Sequence, residues 1–207
     1  MRVKTETRRQ AIIAVAGELF LQHGYAAVSM AAISAKLGGS RVTLYNYFAT
    51  KEQLFEAYVI EAGSERSKAI LNFHDQCVTD LRSRLFNLGK SYLALVLDSQ
   101  VLAIHRMIIG EVGRFPELAS IFYESGVKII LQQIQSILAA EIKPGRLRTS
   151  CPKTMALHFR ALCEAGNVEW RLWGLREEIN EQSSDQTLFT AIDAFLEIYA
   201  DSPRDVG

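Results

Sequence analysis

The chain has 207 residues, 49% hydrophobic and 22% charged, and its 23 basic and 23 acidic residues cancel to a formal net charge of zero. That apolar fraction excludes wholesale disorder, the length suits one large domain or a small module on a larger one, and the balance excludes a uniformly basic nucleic-acid coat. The charge is nevertheless uneven: Arg2, Lys4, Arg8, Arg9, Lys36, Arg41 and Lys51 stand against Glu6 and Glu18 in residues 1–51, a net +5, which leaves −5 for the remainder.

Nearly every segment reads as helix. Residues 8–22 put Ile12, Ala16, Leu19, Phe20 and His23 on one face of a 3.6-residue period, and Gly24 ends the run. Ser29 offers a cap to a short helix over 30–37, Gly38-Gly39 stops it, and Ser40 caps another over 41–47. Thr50 and Gln53 form a capping box that opens the next helix. Longer helices are expected over 51–73, 79–98, 100–114, 116–141, 153–175 and 185–201, with a frayed tail at 202–207. Pro116, Lys143-Pro144-Gly145, Pro152 and Gly174 punctuate them. No period-2 alternation marks a strand. The expected fold is all-α: a three-helix N-terminal head and a larger C-terminal helical bundle, about nine helices together. The helix over 51–73 connects the two.

Little in the chain suggests catalysis. Cys77, Cys151 and Cys163 are an odd, widely spaced set, and His23, His74, His105 and His158 are scattered, so no metal site or cofactor is expected. There is no glycine-rich phosphate loop, no GxSxG and no HExxH, so the protein reads as a non-enzyme. The polar start MRVKTETRRQ lacks a signal-peptide pattern, and the apolar runs fall short of the roughly 20 residues of a membrane span. A cytoplasmic location without membrane attachment is the expectation.

Residues 29–54 meet the requirements of a helix-turn-helix. Ser34 and Ala35 are small where a second helix must cross closely, and Gly38 serves the turn. Ile33, Leu37, Leu44 and Phe48 lock the two helices together. Arg41, Thr43, Tyr45, Asn46 and Tyr47 remain on the outer face, and each can hydrogen-bond a phosphate or a base edge. Helix starts at Ser29 and Thr50 add backbone N–H groups, and Lys51 adds charge.

These residues resemble the tetracycline-repressor (TetR) family of bacterial transcription regulators. The likeness is carried by Phe20, Gly24-Tyr25, Ser29-Met30, Ile33-Ser34, Gly38-Gly39-Ser40, Thr43-Leu44-Tyr45, Tyr47-Phe48 and Lys51-Glu52-Gln53-Leu54. It covers about residues 8–56. Gly39 departs from the family pattern where an apolar residue is usual, and Val42 where a small one is common. The resemblance implies a DNA-binding helix-turn-helix domain at 1–50 and a helical ligand-binding and dimerisation domain at 51–207. It implies that Ser29 caps a helix and touches a phosphate. Tyr45, Tyr47 and Lys51 become phosphate contacts, and Arg41, Thr43 and Asn46 the base readers. Arg41 suits a guanine, whose O6/N7 pair its planar fork matches. Tyr45 and Tyr47 equally suit packing at the core edge. Arg2, Lys4, Arg8 and Arg9 either touch the duplex backbone or form a solvated tail.

Further along, Arg106, Glu111 and Phe115-Pro116-Glu117-Leu118 resemble the C-terminal domain of one branch of that family, named for epiphytic-fitness regulators and called AefR-like. Glu111 shares a helical face with Ile104, Met107, Ile108 and Phe115, where a carboxylate needs a partner. Arg106 or Arg114 serves structurally, or the carboxylate anchors a ligand in an apolar cavity. His105, His158, Glu164 and Asn167 pose the same question, and Phe122 and Phe159 are aromatics able to line a pocket or fill a core. The candidate ligand set is therefore His105, Glu111, Phe122, Phe159 and Asn167. Ala156, Ala161, Ala165 and Gly166 permit close helix approach, and Leu188, Ile192, Phe195 and Tyr199 form a stripe. Both features suit a four-helix homodimer interface or packing within one chain. The expected function is a repressor on a palindromic operator in double-stranded DNA, released by a small apolar or amphipathic effector. The alternative is a DNA-binding regulator or activator with no effector.

Overall fold

The computed structural model describes residues 2–73, 80–175 and 181–201; His74, Cys77 and the tail at 202–207 lie outside them. Helices α1 (Arg2–His23), α2 (Met30–Lys36), α3 (Arg41–Tyr47), α4 (Lys51–Leu71), α5 (Leu81–Val96) and α6 (Ser99–Glu111) follow in order. Then come α7 (Glu117–Phe122), α8 (Lys128–Ile142), α9 (Pro152–Glu164), α10 (Val168–Leu172) and α11 (Glu181–Tyr199). Among the described residues there is no strand, and the architecture is all-α with a helix-turn-helix near the N-terminus.

Two helices expected as continuous are broken. The run over 116–141 is divided by a π-helical turn at Tyr123–Val127 between α7 and α8. The run over 153–175 stops at Ala165, and Gly166 adopts φ +71, which a side chain at that position would resist. Ala165 and Gly166, read from the sequence as surfaces for close helix approach, are therefore a helix terminator. Helix α1 also begins earlier than expected, carrying the basic residues from Arg2 onward in helix.

The chain packs as two compact units. The first holds residues 1–64 and 99–126, the second 65–98 and 127–207. In the first, Ile12, Ala16, Phe20, Ile33, Leu44, Leu54, Phe55 and Ile104 are all at most 2% exposed and form one core. Phe20, Tyr25 and Phe55 meet edge to face or tilted at 5.4–5.7 Å between centroids, arrangements that add about 0.5–1.5 kcal/mol per pair to their burial. Gly17 lets α1 and α4 approach, because a Cβ there would lie 2.2 Å from the Tyr58 ring.

In the second unit α9 packs on α8 and α11, and α11 on α5. Met155, Phe159, Cys163, Leu188, Ile192, Phe195 and Tyr199 are buried within it. The α11 stripe is thus core of its own chain. Glu141, 2% exposed, lies between Arg84 and Arg146, which supply the counter-charge that burial demands. The two described cysteines differ sharply. Cys151 stands at the N-cap position of α9 without a side-chain cap bond and is exposed, and the nearby Thr154 N–H and hydroxyl lower its thiol pKa, while burial pushes Cys163 up to about 12. In a Cys77→Ser background, iodoacetamide at mildly alkaline pH should modify Cys151 and spare Cys163 until the fold opens, read by mass spectrometry. Equal labelling rates would contradict this packing.

Candidate nucleic-acid interface

Three short-range caps set the helix-turn-helix. Ser29 Oγ accepts from the Ala32 N–H at 3.1 Å, Ser40 Oγ from the Val42 N–H at 3.1 Å, and Thr50 Oγ1 from the Gln53 N–H at 3.2 Å. The Gln53 side chain returns the favour one residue before the cap, accepting from the Ala49 N–H at 3.0 Å. Between α2 and α3, Gly38 takes φ +64, and the buried Ser34 hydroxyl donates to the Gly39 carbonyl at 3.1 Å. Ile33, Leu44 and Phe48 are buried across the two helices, with Leu37 packed against them.

With those side chains turned inward, Arg41, Val42, Tyr45 and Asn46 face solvent, and Thr43 and Tyr47 are half-buried. Val42 is 69% exposed, an unusual place for a branched apolar residue and a suitable one for a thymine methyl. The cations of the head sort by partner. Lys36 pairs with Glu18 at 2.8 Å, and Arg9 lies 3.8 Å from Glu6 and over the Phe48 ring. Among the described residues no carboxylate reaches Arg41 or Arg8. Lys51, expected at a phosphate, turns inward: its Nζ donates to the Tyr25 carbonyl at 2.9 Å and the Val28 carbonyl at 3.0 Å. Burial lowers its pKa, partly opposed by Glu52 and Glu111, and the same Nζ lies 3.9 Å from the centroid of the Tyr25 ring.

The turn that Lys51 grips, residues 24–28, is held from the other side by Glu111 at the end of α6. Its Oε1 accepts from the Tyr25 N–H at 2.6 Å and its Oε2 from the Ala26 N–H at 2.7 Å. The partner left open by the sequence is therefore the backbone of this turn, 86 residues away. Tyr25 is fully buried and its hydroxyl donates to Glu52 at 3.0 Å; burial, and then Glu52, raises its pKa well above the phenol range.

The other candidate ligand residues divide between the units. In the first, His105 and Phe122 are half-buried with ring centroids 5.4 Å apart. In the second, Phe159 is fully buried edge-on to Phe195 at 5.4 Å, and the buried Asn167 amide donates to the Cys163 carbonyl at 3.4 Å. The sequence singles out Glu164, but not the cluster it joins in that unit. The Tyr92 hydroxyl donates to Glu164, which also accepts from Arg160 at 2.8 Å, and burial raises the Tyr92 pKa well above its usual value. Helical spacing from Arg160 to Glu164 was the available signal; nothing local ties Tyr92 to either. Among the described residues no group of three His, Cys, Asp or Glu side chains could hold a metal, and no single helix is long and apolar enough to cross a membrane.

A capped helix-turn-helix with an uncommitted arginine and two amide- or hydroxyl-bearing side chains on its outer face defines a DNA-binding protein of the helix-turn-helix class. The family described as "AefR-like transcriptional repressor, C-terminal domain" matches residues 83–201, and "Bacterial regulatory proteins, tetR family" matches residues 12–58. The chain belongs to the TetR family of transcriptional regulators, which are DNA-binding proteins and not enzymes. Among solved structures it is similar to the flavonoid-responsive regulator FrrA, with 28% identity, a TM-score of 0.83, and coverage of 96% of this chain and 99% of that one. A TetR-family regulator from Mesorhizobium loti MAFF303099 shares the fold at 24% identity and TM-score 0.82, covering 95% and 98% of the two chains. Another from Pseudomonas syringae pv. tomato str. DC3000 does so at 24% and 0.73, covering 94% and 97%.

Proposed function

We propose that this regulator is a homodimeric, cytoplasmic repressor that places α3 of each subunit in the major groove of a palindromic operator and leaves it on binding a small apolar or amphipathic effector. The observation that carries the DNA half is the outer face of α3, where Arg41, Val42, Tyr45 and Asn46 are exposed and Arg41 has no carboxylate partner among the described residues. Arg41, Thr43 and Asn46 read bases, while Ser29, Tyr45 and Tyr47 contact phosphates and fix register. Lys51 acts chiefly on the turn before α2. Selection from a random-sequence duplex pool tests the reading: a symmetric consensus with half-sites about one helical turn or more apart supports it. An asymmetric consensus, or none, would remove it.

The dimer face of this proposal is the exposed side of α9, where Leu157 is 44% exposed and Ala161 lies one turn on, together with Ile198 of α11, 42% exposed. Leu157→Arg should therefore give monomers in sedimentation and weaken binding to the two-half-site duplex. An unchanged dimer would move the interface elsewhere.

Repression is supported by the description of the matched C-terminal family, and an effector by the name of the FrrA relative. The effector must bind the released and DNA-bound conformations unequally. Candidate contacts are His105 and Phe122 in one unit and Phe159 and Asn167 in the other, with the Tyr92–Glu164–Arg160 cluster a polar group suited to a hydroxylated ligand. Glu111, filled by backbone N–H groups, acts on the turn instead. Flavonoids are the first compounds to screen for operator release; release by none of a broad apolar panel would favour regulation without an effector.

A further inference from the structure

Gly39 stands where an apolar side chain is usual, and the structure shows what the missing side chain permits. A Cβ at this position would lie 2.7 Å from Nη2 of Arg8, so the guanidinium from α1 occupies the notch that glycine leaves. The notch directly precedes Ser40, the cap of α3, and its carbonyl is held by Ser34. Arg8 is half-buried and, among the described residues, has no carboxylate within ion-pair distance. Its neighbour Arg9 lies 5.4 Å over the ring of Phe48, at the other end of α3. Consecutive arginines of α1 thus flank the start and the end of this helix.

We propose that Arg8 is a second DNA-binding arginine, contacting a phosphate beside the start of α3, and that Gly39 positions it there. The inference rests on the reading of α3 as the helix that enters the groove. A phosphate is favoured over a base because the guanidinium lies against the turn and not on the outer face that carries Arg41 and Tyr45. The half-buried stem restricts the side chain before DNA arrives, which reduces the ordering cost of the contact. The planar fork suits two phosphate oxygens.

The test uses the full chain, the duplex recovered by selection and a mixed-sequence duplex of equal length, titrated over a range of salt. Arg8→Ala should weaken binding to both duplexes by a similar factor. It should also lower the slope of log K against log salt by about 0.9 for each subunit engaged, the signature of one lost phosphate contact. Arg41→Ala, by contrast, should weaken the selected duplex far more than the mixed one. Gly39→Ala displaces only the tip of a flexible side chain, so its melting curve should match the wild type while its binding falls. In the Arg8→Ala background it should cost nothing further. An unchanged slope in Arg8→Ala, or losses that add in the double variant, overturns the assignment. Failure of the wild type to bind either duplex removes the reading of α3 itself, an outcome distinguishable from both.

Discussion

Arg41→Ala is expected to lower affinity for the selected duplex by about 5- to 150-fold per half-site while leaving mixed-sequence binding nearly intact. The range follows from the roughly 1–3 kcal/mol that a bidentate arginine–guanine contact contributes to discrimination. The structure favours this residue because Arg41 is exposed at the first position of α3 and is held by no carboxylate among the described residues, whereas Lys36 is tied to Glu18. Arg41→Lys separates shape from charge: a lysine keeps the cation but lacks the fork, so it should leave mixed-sequence binding at the wild-type level and recover little of the discrimination. Fluorescence anisotropy on both duplexes, with single-base changes at each consensus position, reads the result. If the alanine variant keeps the wild-type ranking of those changes, Arg41 does not read a base.

The head was legible in the sequence because its determinants are local. Ser29, Ser40 and Thr50 each bond an N–H two or three residues on, Gly38 turns the chain between adjacent helices, and Ile33, Leu44 and Phe48 lie within 16 residues of one another. Legibility fails where the partner is remote. Periodicity identified Glu111 as a carboxylate needing a partner but carried no information about a backbone turn 86 residues upstream. Lys51 looked like a surface cation because nothing in its own helix reveals the carbonyls of Tyr25 and Val28. The stripe of Leu188, Ile192, Phe195 and Tyr199 illustrates a different limit. A buried helical face has one period whether its cover comes from the same chain or another, and here the four residues are covered within the chain. The break at Gly166 was hidden among small residues that also favour helix contact, and only φ +71 distinguishes the two uses.

The clamp on residues 24–28 yields the second large effect. Glu111→Ala removes two charge-assisted hydrogen bonds, at 2.6 and 2.7 Å, and leaves the Tyr25 and Ala26 N–H groups without their acceptors. Tyr25 is buried and Glu111 half-buried but Ala26 is exposed, so water can replace one bond better than the other. The expected loss is about 2–3 kcal/mol of stability. Binding to the selected duplex should fall as well, because the turn sets the position of Ser29 and the start of α2. Glu111→Gln keeps one acceptor but directs an NH₂ group at a backbone donor, so it should recover less than half of the loss. Gly24 supplies an internal control. Its φ of +80 disfavours any side chain, and a Cβ there would also lie 2.6 Å from Oε1 of Glu111. Gly24→Ala should therefore be costly in the wild type but cost only the backbone term, about 1–2 kcal/mol, once residue 111 is alanine. Urea unfolding of the four proteins closes this cycle. Additive losses would mean that the carboxylate and the turn act independently, and the clamp would then have no part in placing the recognition helices.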